Sequence, residues 1–199
     1  MTISDPGTGR RVFHPTVLDL GDVVLRPWGR ALDVPGGIGP ALVAAAADPA
    51  IARWTPLSSS GPIDPEAYLD RCETGWAEGS AAAFAAVDAT DDSLCGNAYL
   101  GWTNRDDGVA MVGYWVLAAA RGRGLAARAT TAVTRWAVEH ADVRRIELYH
   151  AVGNEASCRV AERAGFPYEG TLRASYTYGG GVYVDEHLHA RLASDPFTE

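Results

Sequence analysis

The chain has 199 residues, of which 47% are hydrophobic and 21% charged, and its formal net charge at pH 7 is −8. This length and composition are typical of a globular domain with a buried core and exclude disordered and fibrous classes. The negative charge argues against nucleic acid as a partner, since phosphate contact needs a basic face, and favours a cationic or amine-bearing substrate.

The cysteines and the N-terminus give expectations about the compartment. Cys72, Cys95 and Cys158 are odd in number and show no CxxC spacing, which predicts reduced thiols rather than a disulfide framework or a zinc site. Residues 1–15 lack the apolar run of a signal peptide, and no apolar run approaches the roughly 20 residues of a membrane span. We therefore expect a cytoplasmic protein without a membrane partner and without a metal.

The start of the chain predicts one strand and two short helices. Residues 1–20 are expected to form an N-terminal extension with a short strand near Val17-Leu18, and Val23–Trp28 is the first strand of the domain. Ala41–Ala47 favours a helix because a proline precedes it at a first-turn position, and a second helical piece ends near Trp54.

The third helix is the best marked in the sequence. Asp64 supplies a capping carboxylate, Pro65 occupies the first helical position, and Gly79 ends the helix. Apolar residues at helical spacing between them predict that one face packs on the core.

The remaining pattern predicts an antiparallel meander, one crossover and a final hairpin. The strands of the meander are Ala82–Val87, Leu94–Trp102 and Val109–Leu117, the last two joined by a turn at Asp107-Gly108. Next come a helix reaching His140, a strand at Arg145–Val152, a helix from Asn154 to Gly165, and two strands between Tyr168 and Leu192 around Gly179–Gly181. This order predicts one mixed α+β domain over residues 21–194, with a tail at 195–199.

A glycine-rich loop joins the meander to the crossover helix. Gly122–Ala127 matches GxGxxA, and Glu147 lies where a dinucleotide-binding fold places its ribose acid. However, Glu147 falls inside its strand, and too little chain follows to finish a doubly wound sheet. No Gly-Lys-Ser/Thr follows, so a Walker loop is excluded. Alone, the loop is also consistent with a purely structural turn.

Several motifs together resemble one known family. Arg121-x-x-Gly124-x-Ala126, between a strand and a helix, is similar to the acyl-CoA pyrophosphate motif of the GNAT N-acetyltransferase superfamily. Residues 154–166, beginning Asn-Glu-Ala-Ser and ending Ala-Gly-Phe, resemble its second signature. Leu25–Trp28 and Gly113–Trp115 resemble the Rim-type branch, the ribosomal-protein N-terminal acetyltransferases and their small-molecule relatives. The resemblance covers Val23–Leu192.

The resemblance implies a fold, a cosubstrate and a set of binding residues. The fold is a central mixed, mostly antiparallel sheet with helices on both faces, and the cosubstrate is acetyl-CoA. Helix N-terminal amides after a glycine loop suit its pyrophosphate, and the pantetheine arm pairs with the preceding strand edge. The implied contacts are Trp115, Val116, Leu117, Arg121, Gly122, Arg123, Gly124, Leu125, Ala126, Asn154 and Ser157.

The implied reaction is direct attack by a neutral primary amine on the thioester carbonyl. A backbone amide at Val116 or Leu117 would polarise that carbonyl, and the enzyme contributes chiefly by positioning. By resemblance, Ser157 protonates the departing thiolate. Tyr176 is a second candidate acid or substrate contact, and Trp54, Tyr99 and Tyr176 suggest an aromatic-lined acceptor pocket.

The sequence departs from the family in its carboxylates. Met111 stands where the family often has an acid two positions before the strand glycine, and Tyr176 stands where the Rim-type branch has a glutamate. The remaining candidate bases are Glu147, His150 and Asp185.

These observations lead to three alternative hypotheses about the function of the protein. The leading hypothesis is an acetyl-CoA-dependent N-acetyltransferase acting on a small amine or a peptide N-terminus. The second is a non-catalytic acyl-CoA-binding module, motivated by the missing acid at Met111. The third is a nucleotide-dependent oxidoreductase, which rests on GxGxxA alone. The sequence leaves monomer and homodimer equally open.

Overall fold

The computed structural model describes residues 11–58, 61–178 and 182–197. Within these residues the chain folds into five α-helices and one eight-stranded sheet. The elements are β1 (Leu18–Asp19), β2 (Val23–Pro27), α1 (Ile38–Ala47), α2 (Pro49–Trp54), α3 (Pro65–Glu78), β3 (Ala81–Asp88), β4 (Leu94–Asn104), β5 (Val109–Val116), a 3₁₀ turn (Ala118–Ala120), α4 (Leu125–His140), β6 (Arg145–Ala151), α5 (Glu155–Arg163), β7 (Tyr168–Thr177) and β8 (Tyr183–Leu192).

The sheet confirms the predicted α+β class. Its strand order is β1-β2-β3-β4-β5-β6-β8-β7, and every neighbouring pair is antiparallel except β5 with β6. Helix α4 makes the one crossover that a parallel pair requires. The final hairpin is β7–β8, and its predicted glycine turn at 179–181 lies outside the described residues.

The parallel pair opens into a cleft. Pairing between β5 and β6 runs from Val109 with Arg145 to Met111 with Glu147 and goes no further along these two strands. Beyond that point β6 continues to pair with β8, while β5 continues to pair with β4. One edge of β5 from Val112 onward is therefore left without a strand neighbour, at the point where α4 and α5 begin.

Two apolar clusters cover the two faces of the sheet. Strand β3 is buried on both sides because Ala82, Phe84 and Ala86 belong to one cluster and Ala83, Ala85 and Val87 to the other. The first cluster contains residues of α4 and α5 together with Trp76 of α3, and the second contains residues of α1 and α2 together with Leu69 of α3. The structure thus has helices on both faces, as predicted. None of the described helices combines the length and apolarity needed to cross a membrane.

The described part of the N-terminal segment packs into the core. Phe13 is fully buried and stacks on Trp102, with ring centroids 4.5 Å apart, and it also contacts Trp136 at 5.7 Å. The short strand expected near Val17-Leu18 is β1, which pairs with β2. Residues 11–20 therefore contribute to the packing of the sheet. The sequence had indicated only an N-terminal extension with a short strand.

Most element boundaries fall within two residues of the sequence prediction. The exception is α1, which begins at Ile38 rather than Ala41, so that Pro40 is its third residue. A proline is tolerated there because the first four amides of a helix have no intrahelical acceptor.

Candidate active site

The N-terminus of α4 presents a row of free amides. Gly124 is its N-cap, with φ 69°, and it has no side-chain oxygen to cap the helix. Among the described residues, no group accepts a hydrogen bond from the backbone amides of 122–127. The positive end of the helix dipole lies at the same place. The local geometry therefore suits an anionic group such as a pyrophosphate.

These amides border a cavity of about 350 Å³ in the cleft beside β5. Of the residues predicted for the site, ten line it: Trp54, Trp115, Val116, Arg121, Gly122, Gly124, Leu125, Ala126, Asn154 and Ser157. Leu117, Arg123, Tyr99 and Tyr176 do not line it. Glycine loop, strand edge and second signature therefore meet around one space, as the paired motifs imply.

The hydrogen bonds at the end of β5 distinguish the Val116 amide from the Leu117 amide, the two groups proposed to polarise the thioester carbonyl. The Leu117 amide donates to the Cys95 carbonyl at 2.9 Å and therefore points into the sheet. Because successive backbone groups of a strand point to opposite sides, the Val116 amide points toward the cleft. Of the two candidates, Val116 has the geometry required.

The loop arginines are already paired within the protein. Arg121 donates through Nη2 to Asp48 Oδ1 at 2.7 Å and through Nε to the Val116 carbonyl at 3.0 Å. Arg123 pairs with Asp22 at 2.8 Å and Asp88 at 3.5 Å. The arginines thus fix the loop against α2 and the β2–β3 edge, and the backbone amides remain its free donors.

The Asp48 carboxylate joins two roles. It caps α2 by accepting from the amides of Ala50 and Ile51 at 2.9 and 3.2 Å, and it also accepts from Arg121. Burial disfavours its charged form, but the Arg121 guanidinium and the two amides outweigh that effect and lower the pKa of Asp48.

The N-terminus of α5 forms the opposite wall of the cleft. Asn154 Oδ1 caps the helix by accepting from the Ser157 amide at 3.2 Å, and its Nδ2 has no acceptor among the described residues. The Ser157 side chain lines the cavity and hydrogen-bonds with the Tyr114 hydroxyl. Capping and ligand contact are therefore compatible for Asn154, and Ser157 faces the cavity beside the Tyr114 phenol.

Among the further residues that line the cavity, Tyr114, Arg159 and Arg163 carry polar groups that were not singled out as site residues in the sequence. The Tyr114 hydroxyl donates to the Ser157 carbonyl at 3.5 Å, and burial raises the pKa of this phenol to about 12. Arg159 and Arg163 extend from α5 along the cavity, and Arg163 has no carboxylate partner among the described residues. The signal for the arginines is their spacing of four residues on one helix, which places both on the same face.

The predicted acceptor residues are dispersed. Trp54 lines the cavity, whereas Tyr99 packs in the second apolar cluster and Tyr176 is 51% exposed. Tyr178 lies between the latter region and the cavity, with its ring 6.2 Å from Trp54 and 5.0 Å from Tyr176. The aromatic set therefore forms a path leading away from the cleft, with Tyr99 outside it.

The sequence did not single out Glu186, a carboxylate beside this path. It is buried and accepts from the Tyr178 hydroxyl at 2.5 Å and from Ser175 Oγ at 2.8 Å. No described lysine, arginine or histidine forms an ion pair with it. Alternation along a strand could not reveal it, because the burial of Glu186 depends on side chains from β7.

The three candidate bases all have other partners. Glu147 accepts from Arg145 Nε at 2.9 Å and from the Tyr149 hydroxyl at 2.6 Å. Asp185 accepts from the Ala174 amide at 2.8 Å. His150 is buried, and burial lowers its pKa. None of them lines the cavity.

The fold is that of the GNAT class. A model of the acetyltransferase (GNAT) domain family matches residues 22–167, and the chain belongs to that family. The resemblance stated from the motifs is therefore confirmed, and the mostly antiparallel sheet gives no support to a doubly wound dinucleotide fold.

Particular relatives include ribosomal acetyltransferases, which agrees with the Rim-type branch. YdaF of Bacillus subtilis (strain 168), provisionally named a ribosomal N-acetyltransferase, is 34% identical over 99 residues, covering 50% of this chain and 51% of that protein. Ribosomal-protein-S5-alanine acetyltransferase from Vibrio fischeri superposes with a TM-score of 0.75 at 22% identity, covering 90% and 98% of the two chains. RimL, a ribosomal L7/L12 alpha-N-protein acetyltransferase solved with coenzyme A, gives 0.74 at 19% identity over 89% and 98%. The chain thus matches about half the length of its curated relative.

Proposed function

We propose that this protein transfers an acetyl group from acetyl-CoA to a primary amine within a ternary complex. One observation carries the proposal: the unpaired amides of 122–127 lie at one end of a cavity whose walls are the free edge of β5 and the N-terminus of α5. A diphosphate on those amides, with its pantetheine arm along β5, would bring a thioester toward Val116 and Ser157. Family membership supports this choice of cosubstrate.

Several groups of the chain would hold the donor. The amides of Gly122 to Ala126 have no acceptor among the described residues, so they would be free to donate to the pyrophosphate oxygens. Arg159 and Arg163 add positive charge along the same wall. The Asn154 Nδ2 group would donate to an amide carbonyl of the pantetheine arm.

The groups around the thioester would stabilise the charge that develops there. The Val116 amide would donate to the carbonyl oxygen as the amine nitrogen adds to the carbonyl carbon. When the C–S bond breaks, the electron pair leaves on sulfur, and the Ser157 hydroxyl would supply its proton. Tyr114, kept protonated by its raised pKa, can donate a hydrogen bond beside that serine but is too weak an acid to be ionised at pH 7.

The acceptor would enter from the side of Trp54, Tyr176 and Tyr178. Glu186 contacts that aromatic path by accepting a hydrogen bond from the Tyr178 hydroxyl. We propose that it attracts an ammonium group and takes up its proton through water, which leaves the neutral amine needed for attack. The names of the relatives favour a protein N-terminus as acceptor. A cytoplasmic location agrees with that substrate.

The test measures coenzyme A binding by calorimetry and thiol release from acetyl-CoA with a panel of peptides and small amines. We expect binding, and thiol release that depends on the amine. Ser157→Ala should lower kcat by about tenfold or more, as for loss of a general acid, with little change in coenzyme A affinity. Ser80→Ala, between α3 and β3 and outside the cavity lining, should change neither. Absence of coenzyme A binding by the wild-type chain would contradict the proposal.

The acyl-CoA-binding module remains a second candidate, favoured by one observation. No aspartate or glutamate is among the residues that line the cavity. The strand neighbour of Met111 is Glu147, whose carboxylate already accepts hydrogen bonds from Arg145 and Tyr149. Tight coenzyme A binding without thiol release across the amine panel would establish this alternative. A loss of release in Glu186→Gln, with coenzyme A affinity kept, would instead support the enzyme.

A further inference from the structure

Four metal-ligating side chains converge beneath α5, on the sheet face opposite Glu186. His150 on β6 pairs in register with His187 on β8, and His189 is two residues further along the same strand face. Cys158 reaches them from α5, and one ligand atom of each residue lies within 4.8 Å of every other. The sequence holds five histidines in all, so three of them meet here.

Two of the histidines have a fixed tautomer. The Nδ1 of His150 lies 3.0 Å from the Ala151 carbonyl, and the Nδ1 of His189 lies 3.1 Å from the Phe166 carbonyl. A carbonyl oxygen only accepts, so each Nδ1 carries the hydrogen. The two Nε2 atoms face each other at 3.3 Å, so they either share a proton or direct two lone pairs at the same space. Two lone pairs at that distance repel unless a cation lies between them.

The spacing fits a metal ion. Zn²⁺ is bound by histidine nitrogen at about 2.0–2.1 Å, and in a tetrahedral site two such nitrogens are then about 3.3 Å apart. Metal-bound histidines typically donate their other ring nitrogen to a backbone carbonyl, which is what His150 and His189 do. The outer-shell hydrogen bonds of a metal site are thus in place for both rings.

The other two residues have unfilled capacity. The Nδ1 of His187 is buried and has no hydrogen-bond partner among the described residues. The Cys158 thiol has only a long contact, 3.8 Å to Glu162. Ligand atoms of a tetrahedral zinc site are about 3.3–3.8 Å apart, so the present separations of up to 4.8 Å would shorten when an ion binds.

We propose that His150, His187, His189 and Cys158 form a tetrahedral site for one divalent transition-metal ion of the Zn²⁺ type. The Cys158 thiol would release its proton to solvent on binding and coordinate as the thiolate. Four protein ligands leave no open position, so the ion would be structural rather than catalytic. It would join α5 to β6 and β8, and α5 carries Asn154 and Ser157 at its N-terminus.

The experiment titrates chelator-treated full-length protein with Co²⁺ as a spectroscopic substitute and with Zn²⁺ in competition. We expect one Co²⁺ per chain, the intense visible bands of a tetrahedral site, a thiolate-to-cobalt charge-transfer band, and loss of both on adding Zn²⁺. Zn²⁺ should also raise the melting temperature. None of these readouts requires catalytic activity, so the inference stands or fails apart from the proposed acetyltransferase.

The variants separate this site from other thiols and imidazoles. Cys158→Ala should abolish the charge-transfer band, and His187→Gln should weaken Co²⁺ binding by more than the 10–100-fold that loss of an outer-shell partner typically costs. Two control variants should leave the spectrum unchanged. Cys72→Ser removes a half-buried thiol on α3, and His14→Gln removes an exposed imidazole.

Two results would overturn the inference. One is a folded wild-type chain that binds neither Co²⁺ nor Zn²⁺, in which a proton shared between His150 and His189 would explain their close contact. The other is Co²⁺ binding that persists with the same affinity in both Cys158→Ala and His187→Gln, provided that circular dichroism shows each variant to be folded.

Discussion

Arg121 donates to Asp48 at 2.7 Å, and this contact links the glycine loop to the first turn of α2. Because Asp48 also caps α2, its two functions can be separated by substitution. Asp48→Asn keeps a capping oxygen but loses the charge of an ion pair whose arginine is 40% exposed, so it should lower the free energy of unfolding by about 0.5–1 kcal/mol. Asp48→Ala loses both and should cost about 1–2 kcal/mol. Urea unfolding measures both, and equal losses would contradict the separation.

The same carboxylate gives a pH dependence with a definite sign. The pKa of Asp48 is lowered in the folded state, so the folded protein holds this group ionised where the unfolded chain, with a pKa of about 3.9, begins to protonate it. Its stabilising contribution is therefore complete above about pH 5 and is lost as the pH falls below about 4. The difference in unfolding free energy between wild type and Asp48→Asn should be constant from pH 5 to 7 and should shrink below pH 4. A difference that grows on acidification would contradict this assignment.

The sequence predicted the local features of the site because local chemistry determines them. A glycine before a long amphipathic segment indicates an uncapped helix N-terminus, and Asn154 before Glu155 indicates a cap; both are present. Hydrophobic periodicity likewise placed the strands and the crossover. The two motifs then identified the family, which no single one of them could have done.

What the sequence could not provide depends on contacts distant in the chain. Arg121 lines the cavity as expected, and its partner Asp48, 73 residues away, could not be read from the sequence. The four residues of the proposed metal site come from β6, β8 and α5 and show no ligand spacing, because strand register rather than a motif brings them together. The burial of Glu186 similarly depends on hydroxyls from the preceding strand and loop.

The arginines of α5, rather than those of the loop, are expected to supply side-chain charge to coenzyme A. Arg163 lines the cavity without a carboxylate partner among the described residues, whereas Arg123 pairs with Asp22 and Asp88. Arg163→Ala should raise the Kd for coenzyme A about fivefold, equivalent to about 1 kcal/mol, and the effect should diminish at high salt. Arg123→Ala is the matched control and should change Kd by less than about twofold. Calorimetry at two salt concentrations checks both, and the reverse order would contradict the assignment.

Gly124 is expected to be needed for its backbone conformation. Its φ of 69° is in the left-handed region, and no atom lies within 4 Å of a β-carbon built there, so alanine would be strained without clashing. Gly124→Ala should lower the free energy of unfolding by about 1 kcal/mol. It should also weaken coenzyme A binding, because relief of the strain would turn the free amides. Gly170→Ala, at an ordinary φ with equally open space, should change stability by less than about 0.5 kcal/mol and leave binding intact.

Phe13 is expected to make the N-terminal segment part of the folding unit. Its side chain is fully buried between Trp102 and Trp136, so Phe13→Ala removes a large apolar group and leaves a cavity. The free energy of unfolding should fall by about 3–5 kcal/mol, and Phe13→Leu, which keeps most of the volume, should lose clearly less. Val17→Ala, at a side chain that is 58% exposed, is the control and should stay within about 0.5 kcal/mol of wild type. Denaturant unfolding of the three variants decides the matter: a loss below 1 kcal/mol in Phe13→Ala would mean that residues before Leu18 are a dispensable extension.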